Sequence, residues 1–208
     1  MKRRIIRRAF FRRDPITCAR ELVGNELIWG SCTGKIVETE AYLEHDDDAC
    51  HTFSRPSARA FIERNRPGAA YIYFSYGSHW MLNVLVKGEA NGFVLFRALQ
   101  PLHGIQLMKK RRSVENERQL CSGPGKLTQA LEITSRHHEM DLCVDPRHCF
   151  VYADGNDVDS SRRSVTPARL GPKGGVVADE RIGISRSGHH PWRFTERGSE
   201  FVSRRAKQ

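Results

Sequence analysis

Two acidic side chains and a tyrosine alternate along one predicted strand. Residues 35–42 read Lys-Ile-Val-Glu-Thr-Glu-Ala-Tyr. Because successive side chains of a strand point to opposite faces, Glu38, Glu40 and Tyr42 share one face. A carboxylate beside an aromatic ring could form half of a pocket that handles a nucleobase, with the carboxylate as general base. The same pattern is also typical of an exposed carboxylate on a solvated strand face.

A second predicted strand carries the densest aromatic segment of the chain. Residues 71–77 read Tyr-Ile-Tyr-Phe-Ser-Tyr-Gly, so Tyr71 and Tyr73 share one face and Tyr76 lies on the other. In a basic protein such tyrosines can stack on unpaired bases, each contributing about 1–3 kcal/mol. A buried core strand produces the same pattern.

The charge of the chain indicates a polyanionic partner. The 34 Lys and Arg residues outnumber the 24 Asp and Glu residues, which gives a net charge of +10. The cations cluster in a basic arm at residues 1–13, in the run at 109–112 and in the tail at 197–207. Three such runs favour a surface that follows phosphates, and nucleic acid is a better candidate than an anionic membrane. Since no apolar run approaches the ~20 residues of a membrane span, we expect no membrane segment.

Three other residue groups could carry chemistry. The segment 123–126 (Gly-Pro-Gly-Lys) hints at a phosphate loop, but it lacks the earlier glycine and the following Ser or Thr of a Walker A motif. The His and Cys residues between 137 and 149 have no recognised zinc spacing, and the six cysteines form no C-x-x-C and are expected to be reduced. Asp46–Asp48 with Glu44 could hold Mg²⁺ in a nuclease, although adjacent acids in a loop are usually solvated.

The elements that must position these residues are mostly strands in hairpin-like succession, with helices outside that run. Strands are predicted at 26–29, 35–42, 69–76, 80–87, 92–99, 181–184 and 192–194, and helices at 16–23, 101–112 and 124–133. Residues 43–68 are expected to be irregular, with a helical turn near 58–64, and 154–180 to be a loop or insertion. The succession of strands predicts one α+β domain over residues 1–208, with a mostly antiparallel sheet flanked by helices.

Six segments that run in order along the chain resemble the alkyladenine (3-methyladenine) DNA glycosylase family, in the class not built on a helix-hairpin-helix fold. They are 19–24, 34–42 followed by His51, 71–77 followed by Asn83, 96–101, 120–127 and 181–184. The resemblance implies a curved, open-barrel-like sheet that approaches duplex DNA from the minor groove. It also implies a monomeric, monofunctional glycosylase that removes damaged purines with water as the nucleophile. Such an enzyme uses no metal or other cofactor and works beside DNA, in a bacterial cytoplasm or a eukaryotic nucleus.

The resemblance also implies roles for the groups that would carry out the reaction. Glu40 matches the general base of the family, and Arg97 matches a residue that helps to hold the nucleophilic water. Tyr42 and His51 match one wall of the pocket for the flipped base, and Tyr73 matches the other.

Other matching positions concern recognition and DNA binding. Asn83 matches the residue that excludes the exocyclic amine of guanine, and Ala41 is assigned to substrate binding. Tyr76 matches the side chain that fills the gap left in the duplex, and Lys126 and Arg59 are assigned to DNA binding. Residues 57–66 depart from the Thr-Pro-Arg-Asn-like segment that the family usually carries there.

Three other functions remain compatible with the residues. A non-catalytic DNA- or RNA-binding module would use the basic runs and the tyrosines without needing Glu40. A metal-dependent nuclease would use Asp46–Asp48. A bifunctional glycosylase and lyase would use a lysine nucleophile.

Overall fold

The long strand β2 (Cys32–Leu43) organises the sheet, because three other strands pair with it. The computed structural model describes residues 4–75, 77–153 and 175–205. The remaining strands are β1 (Glu26–Trp29), β3 (Ala70–Ser75), β4 (His79–Lys87), β5 (Asn91–His103), β6 (His148–Val151), β7 (Val176–Asp179) and β8 (Arg193–Glu196). The order is β3-β4-β5-β2-β1-β6, while β8 pairs with both β2 and β7. The result is a single α+β domain with a curled antiparallel half-barrel, which confirms the predicted fold class.

Among the described residues, five α-helices flank this sheet: α1 (Pro15–Leu22), α2 (His51–Ser54), α3 (Pro56–Arg64), α4 (Ile105–Arg112) and α5 (Pro124–Leu131). Helix α1 begins at Pro15, one residue before the predicted start, and the Asp14 carboxylate caps it by accepting a hydrogen bond of 2.8 Å from the Thr17 N–H. The main core packs α1 and α5 against the sheet. A smaller apolar cluster joins α3 to β3, β4 and β5 through Phe61, Tyr71, Leu85 and Phe93.

The helix predicted to begin at Pro101 was wrong at its start. Strand β5 continues through Pro101 to His103, and α4 begins at Ile105 after Gly104, whose φ is +74°. Pro101 pairs with Gly34 beside a register shift in the β2–β5 ladder. A strand tolerates proline at such a bulge because no ladder hydrogen bond is required from its nitrogen.

The closing strand predicted at 181–184 was also wrong. The strand in this region is β7, which lies inside the stretch expected to be a loop, and β6 was not predicted. Residues 181–184 are irregular because the Ile182 N–H donates to the Glu40 carboxylate rather than to a neighbouring strand. The rest of the expected insertion, 154–174, lies outside the described residues.

The described part of the basic arm packs onto the protein. Phe10 and Phe11 are buried, Arg8 forms an ion pair with Asp141, and Arg13 pairs with Glu21 at 2.7 Å. Three cations of the run at 109–112 are likewise bonded to side chains or carbonyls of the protein, namely Lys109, Arg111 and Arg112. Much of the predicted phosphate-binding charge is therefore used in intramolecular contacts. No helix among the described residues is long and apolar enough to cross a membrane.

Candidate active site

A cavity of about 500 Å³ opens between the sheet, helix α2 and the segment 182–186. Five of the residues whose roles the family resemblance implies line it: Tyr42, His51, Tyr73, Asn83 and Arg97. On each of the strands β3, β4 and β5, the residues that line the cavity are two positions apart in the sequence. The predicted alternation therefore holds on β3, and the same alternation on β4 and β5 brings side chains that are distant in sequence to one surface.

Glu40 lies directly behind the lining of this cavity. Its side chain is fully buried, and all three of its hydrogen-bond donors are residues that line the cavity. Its Oε1 accepts from the Ile182 N–H at 2.7 Å. Its Oε2 accepts from the Tyr42 hydroxyl at 2.8 Å and from Arg97 Nη1 at 3.2 Å. A carboxylate held by three donors is fixed in position at the edge of the cavity.

Burial and hydrogen bonding act in opposite directions on this carboxyl group. Burial raises the pKa of Glu40 above its ordinary value, although Arg97, the Ile182 N–H and the Tyr42 hydroxyl oppose the rise. Burial raises the pKa of Tyr42 well above its ordinary value, with the Glu40 charge adding to the effect, so Tyr42 stays protonated and donates. For Arg97, burial opposes the charged form, but Glu40 and Glu38 outweigh it and raise the pKa.

Arg97 joins two buried carboxylates. Its Nε donates to Glu38 at 3.0 Å and its Nη1 donates to Glu40 at 3.2 Å. Glu38 also accepts from Arg193 Nη1 at 3.2 Å and is fully buried. The predicted shared face of Glu38, Glu40 and Tyr42 is therefore a buried charged surface and not a solvated one.

The aromatic side of the cavity is formed by rings that touch each other. The His51 and Tyr73 ring centroids are 4.1 Å apart, and Tyr71 packs beside both rings. A base stacked between two rings needs about 7 Å, because each face must be about 3.5 Å away. No base can therefore lie between His51 and Tyr73 in this conformation. Burial, followed by the charge of Arg55, lowers the pKa of His51 to about 4, so its ring is neutral at neutral pH.

Asn83 is held by the neighbouring strand. It pairs with Tyr71 in the β3–β4 ladder, and its Nδ2 donates to the Tyr71 carbonyl at 3.1 Å. The side chain is almost fully buried and lines the cavity. Its amide is therefore fixed in orientation at the wall of the cavity.

Sequence reasoning missed an ion pair behind the pocket. Arg181 contacts Asp47 through two hydrogen bonds of 2.6 and 2.8 Å, and both side chains are fully buried. The guanidinium also lies 4.6 Å from the centre of the Tyr42 ring and 5.0 Å from that of Trp192. The pair thus supports Tyr42 from behind. The sequence around Asp47, a run of three aspartates, does not indicate that its side chain is buried. The expectation that these aspartates are exposed to solvent was wrong for Asp47.

Lys126 and Arg59, the described residues that were predicted to bind DNA, do not line the cavity. Lys126 is exposed in the first turn of α5, where the adjacent Gly125 is needed because a Cβ atom there would lie 2.6 Å from the His79 ring. Arg59 is exposed on α3 and donates to the Thr52 carbonyl. Ala41 is buried; its N–H donates to Trp192 and its carbonyl accepts from Arg181. Tyr76 lies outside the described residues.

The mouth of the cavity carries two arginines that the sequence analysis did not select. Arg55 and Arg186 both line the cavity. Arg55 lies 5.7 Å from the Tyr73 ring centre, and Arg186 lies 5.5 Å from that of the exposed Phe53. Their proximity to aromatic side chains at the cavity mouth could have been found only from the fold.

The two candidate metal groups have other partners. Asp47 is bonded to Arg181 and to the backbone N–H groups of Leu43 and Ala49. His137 and His148 both pack edge-on against Trp29. Within residues 4–75, 77–153 and 175–205, no group of three or more His, Cys, Asp or Glu side chains is placed to hold a metal ion.

Comparison with known proteins identifies the family to which this geometry belongs. The methylpurine-DNA glycosylase (MPG) family matches residues 9–200. This chain belongs to the methylpurine-DNA glycosylase family. Membership makes it a DNA repair enzyme of base excision, a hydrolase that acts on N-glycosyl bonds.

Relatives of this methylpurine-DNA glycosylase cover nearly its whole length. A protein of Rhizobium etli is 43% identical over 198 residues, covering 95% of this chain and 88% of its own. One of Rhodopseudomonas palustris is 42% identical over 201 residues, covering 96% and 90%. One of Nitrosospira multiformis is 41% identical over 199 residues, covering 95% and 93%. Each is named "Putative 3-methyladenine DNA glycosylase".

Proposed function

We propose that this glycosylase flips damaged purines out of duplex DNA and hydrolyses their N-glycosidic bond with a water molecule activated by Glu40. The substrates are the class that includes 3-methyladenine, 7-methylguanine, hypoxanthine and ethenoadenine, and the product is an abasic site. The observation that carries the proposal is the Glu40 carboxylate, which is buried and oriented by three residues of an aromatic-lined cavity. All of these groups come from one chain, so we expect the monomer to be active.

The hydrogen bonds of Glu40 support Oε1 as the oxygen that would take the proton. A carboxylate offers about four acceptor positions, two on each oxygen. Tyr42 and Arg97 use both positions of Oε2, whereas Ile182 uses one position of Oε1. Oε1 can therefore accept one more donor, and we assign it to the nucleophilic water. The raised pKa of Glu40 makes the carboxylate a stronger base than an exposed glutamate.

The same groups can stabilise the charge that develops on the sugar. Breaking the glycosidic bond leaves positive charge on the deoxyribose, and the Glu40 carboxylate is the negative group that we place beside it. Arg97 lines the cavity next to Glu40 and can hold the water by hydrogen bonding. In this role its charge also favours the ionised form of Glu40.

The rings of the cavity favour electron-poor bases. A cationic, alkylated purine over an aromatic face gains about 0.5–2 kcal/mol. Because His51 is neutral at neutral pH, it does not repel such a base. Since His51 and Tyr73 touch, we infer that they form one side of the slot together and that Tyr42 forms the other.

Base flipping explains why the cavity can act on duplex DNA. A base inside the duplex cannot reach Glu40, and extrusion costs a few kcal/mol, least for a damaged or mismatched base. We propose that Tyr76 occupies the vacated position in the stack, as the resemblance to the family implies for this position. Lys126, Arg59, Arg55 and Arg186 are the exposed or cavity-lining cations that we expect to contact phosphates.

The test is excision by the wild type and by Glu40→Gln. Purified protein is incubated in EDTA with duplexes that carry one hypoxanthine or one ethenoadenine, and with alkylated DNA. We expect strand cleavage only after alkali, and no trapped covalent adduct with borohydride. Glu40→Gln should lose about 100-fold or more in rate, while its affinity for lesion DNA stays within a few-fold of wild type.

Each alternative function predicts a different result. A non-catalytic binding module would bind lesion DNA and leave no abasic site. A metal-dependent nuclease would cut without alkali and stop in EDTA, and a lyase would give a borohydride-trapped adduct. If Glu40→Gln keeps more than about one tenth of the wild-type rate, Glu40 is not the base.

A further inference from the structure

The C-terminal segment reaches the charged network behind Glu40 through one serine. Ser203 lies outside residues 9–200, the part of the chain that the family matches. Its backbone N–H donates to Glu38 Oε2 at 2.6 Å, and its hydroxyl donates to Glu38 Oε1 at 2.8 Å. The same hydroxyl accepts from Arg97 Nη2 at 3.4 Å. Ser203 therefore touches both the arginine and one of the two carboxylates that the arginine joins.

Glu38 and Glu40 compete for hydrogen bonds from Arg97, and the contacts of Ser203 affect this competition. Arg97 donates to Glu38 and to Glu40, and its contact with Glu38, at 3.0 Å, is the shorter one. A buried carboxylate that lacks donors is costly, so Glu38 would draw Arg97 more strongly if its other donors were removed. Those other donors are Arg193 and the two groups of Ser203.

We infer that Ser203 is a positioning residue for excision: it satisfies Glu38 and holds Arg97 so that Nη1 of Arg97 stays on Glu40. The inference rests on the proposed function, in which Glu40 is the base and Arg97 holds the water. Ser203 does not line the cavity and is not expected to contact DNA or the base. Its removal should therefore change the chemical step and the ionisation of Glu40, and leave the binding of lesion DNA unchanged.

The experiment compares Ser203→Ala, Ser203→Thr and the matched control Ser199→Ala. Ser199 lies in the same segment. Among the described residues, the one partner of its hydroxyl is the Phe201 N–H, which donates to it. Single-turnover excision of hypoxanthine and ethenoadenine is measured across pH, together with affinity for the lesion duplex and thermal stability.

For Ser203→Ala we expect a single-turnover rate about 10- to 100-fold below wild type, as for loss of a hydrogen bond to a charged group. The affinity for the lesion duplex should stay within about twofold of the wild-type value. The acid limb of the rate profile should move to higher pH, because Glu40 loses part of its interaction with Arg97. Ser203→Thr keeps the hydroxyl and should restore most of the rate, and Ser199→Ala should match wild type.

Three outcomes would overturn the inference. Ser203→Ala could match wild type in rate and in its acid limb. It could lose rate only in proportion to lost thermal stability, or no more than Ser199→Ala does. In each case the proposed function stands if Glu40→Gln is still inactive. If the wild type excises no lesion, or if Glu40→Gln remains active, then the proposed function itself fails and the role of Ser203 falls with it.

Discussion

The buried side and the open side of the cavity use charge in different ways. On the buried side, Glu38 and Glu40 lie behind the cavity and Arg97 lies on its wall; all three are almost fully buried, and each is bonded to another charged side chain. At the mouth, the cations lie beside aromatic rings, as Arg186 lies over the exposed Phe53. A charged side chain in the low-dielectric interior is tolerated only when an opposite charge is paired with it. The interactions of a charged side chain on the surface are screened by solvent and weaken as the salt concentration rises. We therefore expect the buried side to determine rate and stability, and the open side to determine affinity for DNA.

The largest effect should come from breaking the buried pair behind Tyr42. Asp47→Ala leaves the Arg181 guanidinium buried without its carboxylate, which should lower the free energy of unfolding by about 3–5 kcal/mol. Chemical denaturation measures this change. The matched control is Asp48→Ala at the neighbouring exposed position, where we expect less than about 0.5 kcal/mol. Equal losses for the two variants would show that the Asp47–Arg181 pair does not stabilise the fold.

Asn83→Ser tests selection inside the cavity. The serine removes the amide that is fixed by the Tyr71 carbonyl. We expect the ratio of guanine-type to adenine-type excision to rise about tenfold, because space opens for the exocyclic amine of guanine. Competition between 7-methylguanine and hypoxanthine duplexes measures this ratio. An unchanged ratio would reject the steric explanation for discrimination.

Tyr42→Phe tests the ionisation of Glu40 while keeping the aromatic ring. The Tyr42 hydroxyl donates to the Glu40 carboxylate and lowers its pKa, against the larger effect of burial. Without this donor the pKa rises further, so the acid limb of the rate profile should shift upward by about one pH unit. The rate well above that limb should change little. A limb that stays in place would mean that Glu40 does not control it.

The smallest effect is expected from replacing an arginine at the mouth of the cavity. Arg186→Ala should weaken binding to duplex DNA a few-fold and reduce the salt dependence of binding by about one unit of slope. Arg111→Ala is the control, because Arg111 already forms an ion pair with Glu132 at 2.6 Å and should leave the slope unchanged. If Arg111→Ala lowers the slope as much as Arg186→Ala, the run at 109–112 contacts phosphates after all.

Local pattern was sufficient for the strands that carry the site. The alternation of 35–42 and 71–77 placed Glu40 with Tyr42, and Tyr71 with Tyr73, on shared faces, and the contacts among these residues confirm both placements. The prediction was wrong where a distant group decided the local conformation. Residues 181–184 have the residue types of a strand. However, the Ile182 N–H donates a hydrogen bond to Glu40, and the Arg181 side chain forms an ion pair with Asp47.

The sequence by itself determined the α+β class, the basic character and the ordered motifs that place the chain among the methylpurine-DNA glycosylases. It did so because residue type and spacing along a strand are local properties. Only the tertiary structure decided which partner each buried charged group has. Asp47 with Arg181, and Glu38 with Ser203, are separated by well over a hundred residues, and burial makes their contacts necessary. No local pattern signals such a partner, because the need for it arises only once folding has removed both groups from water.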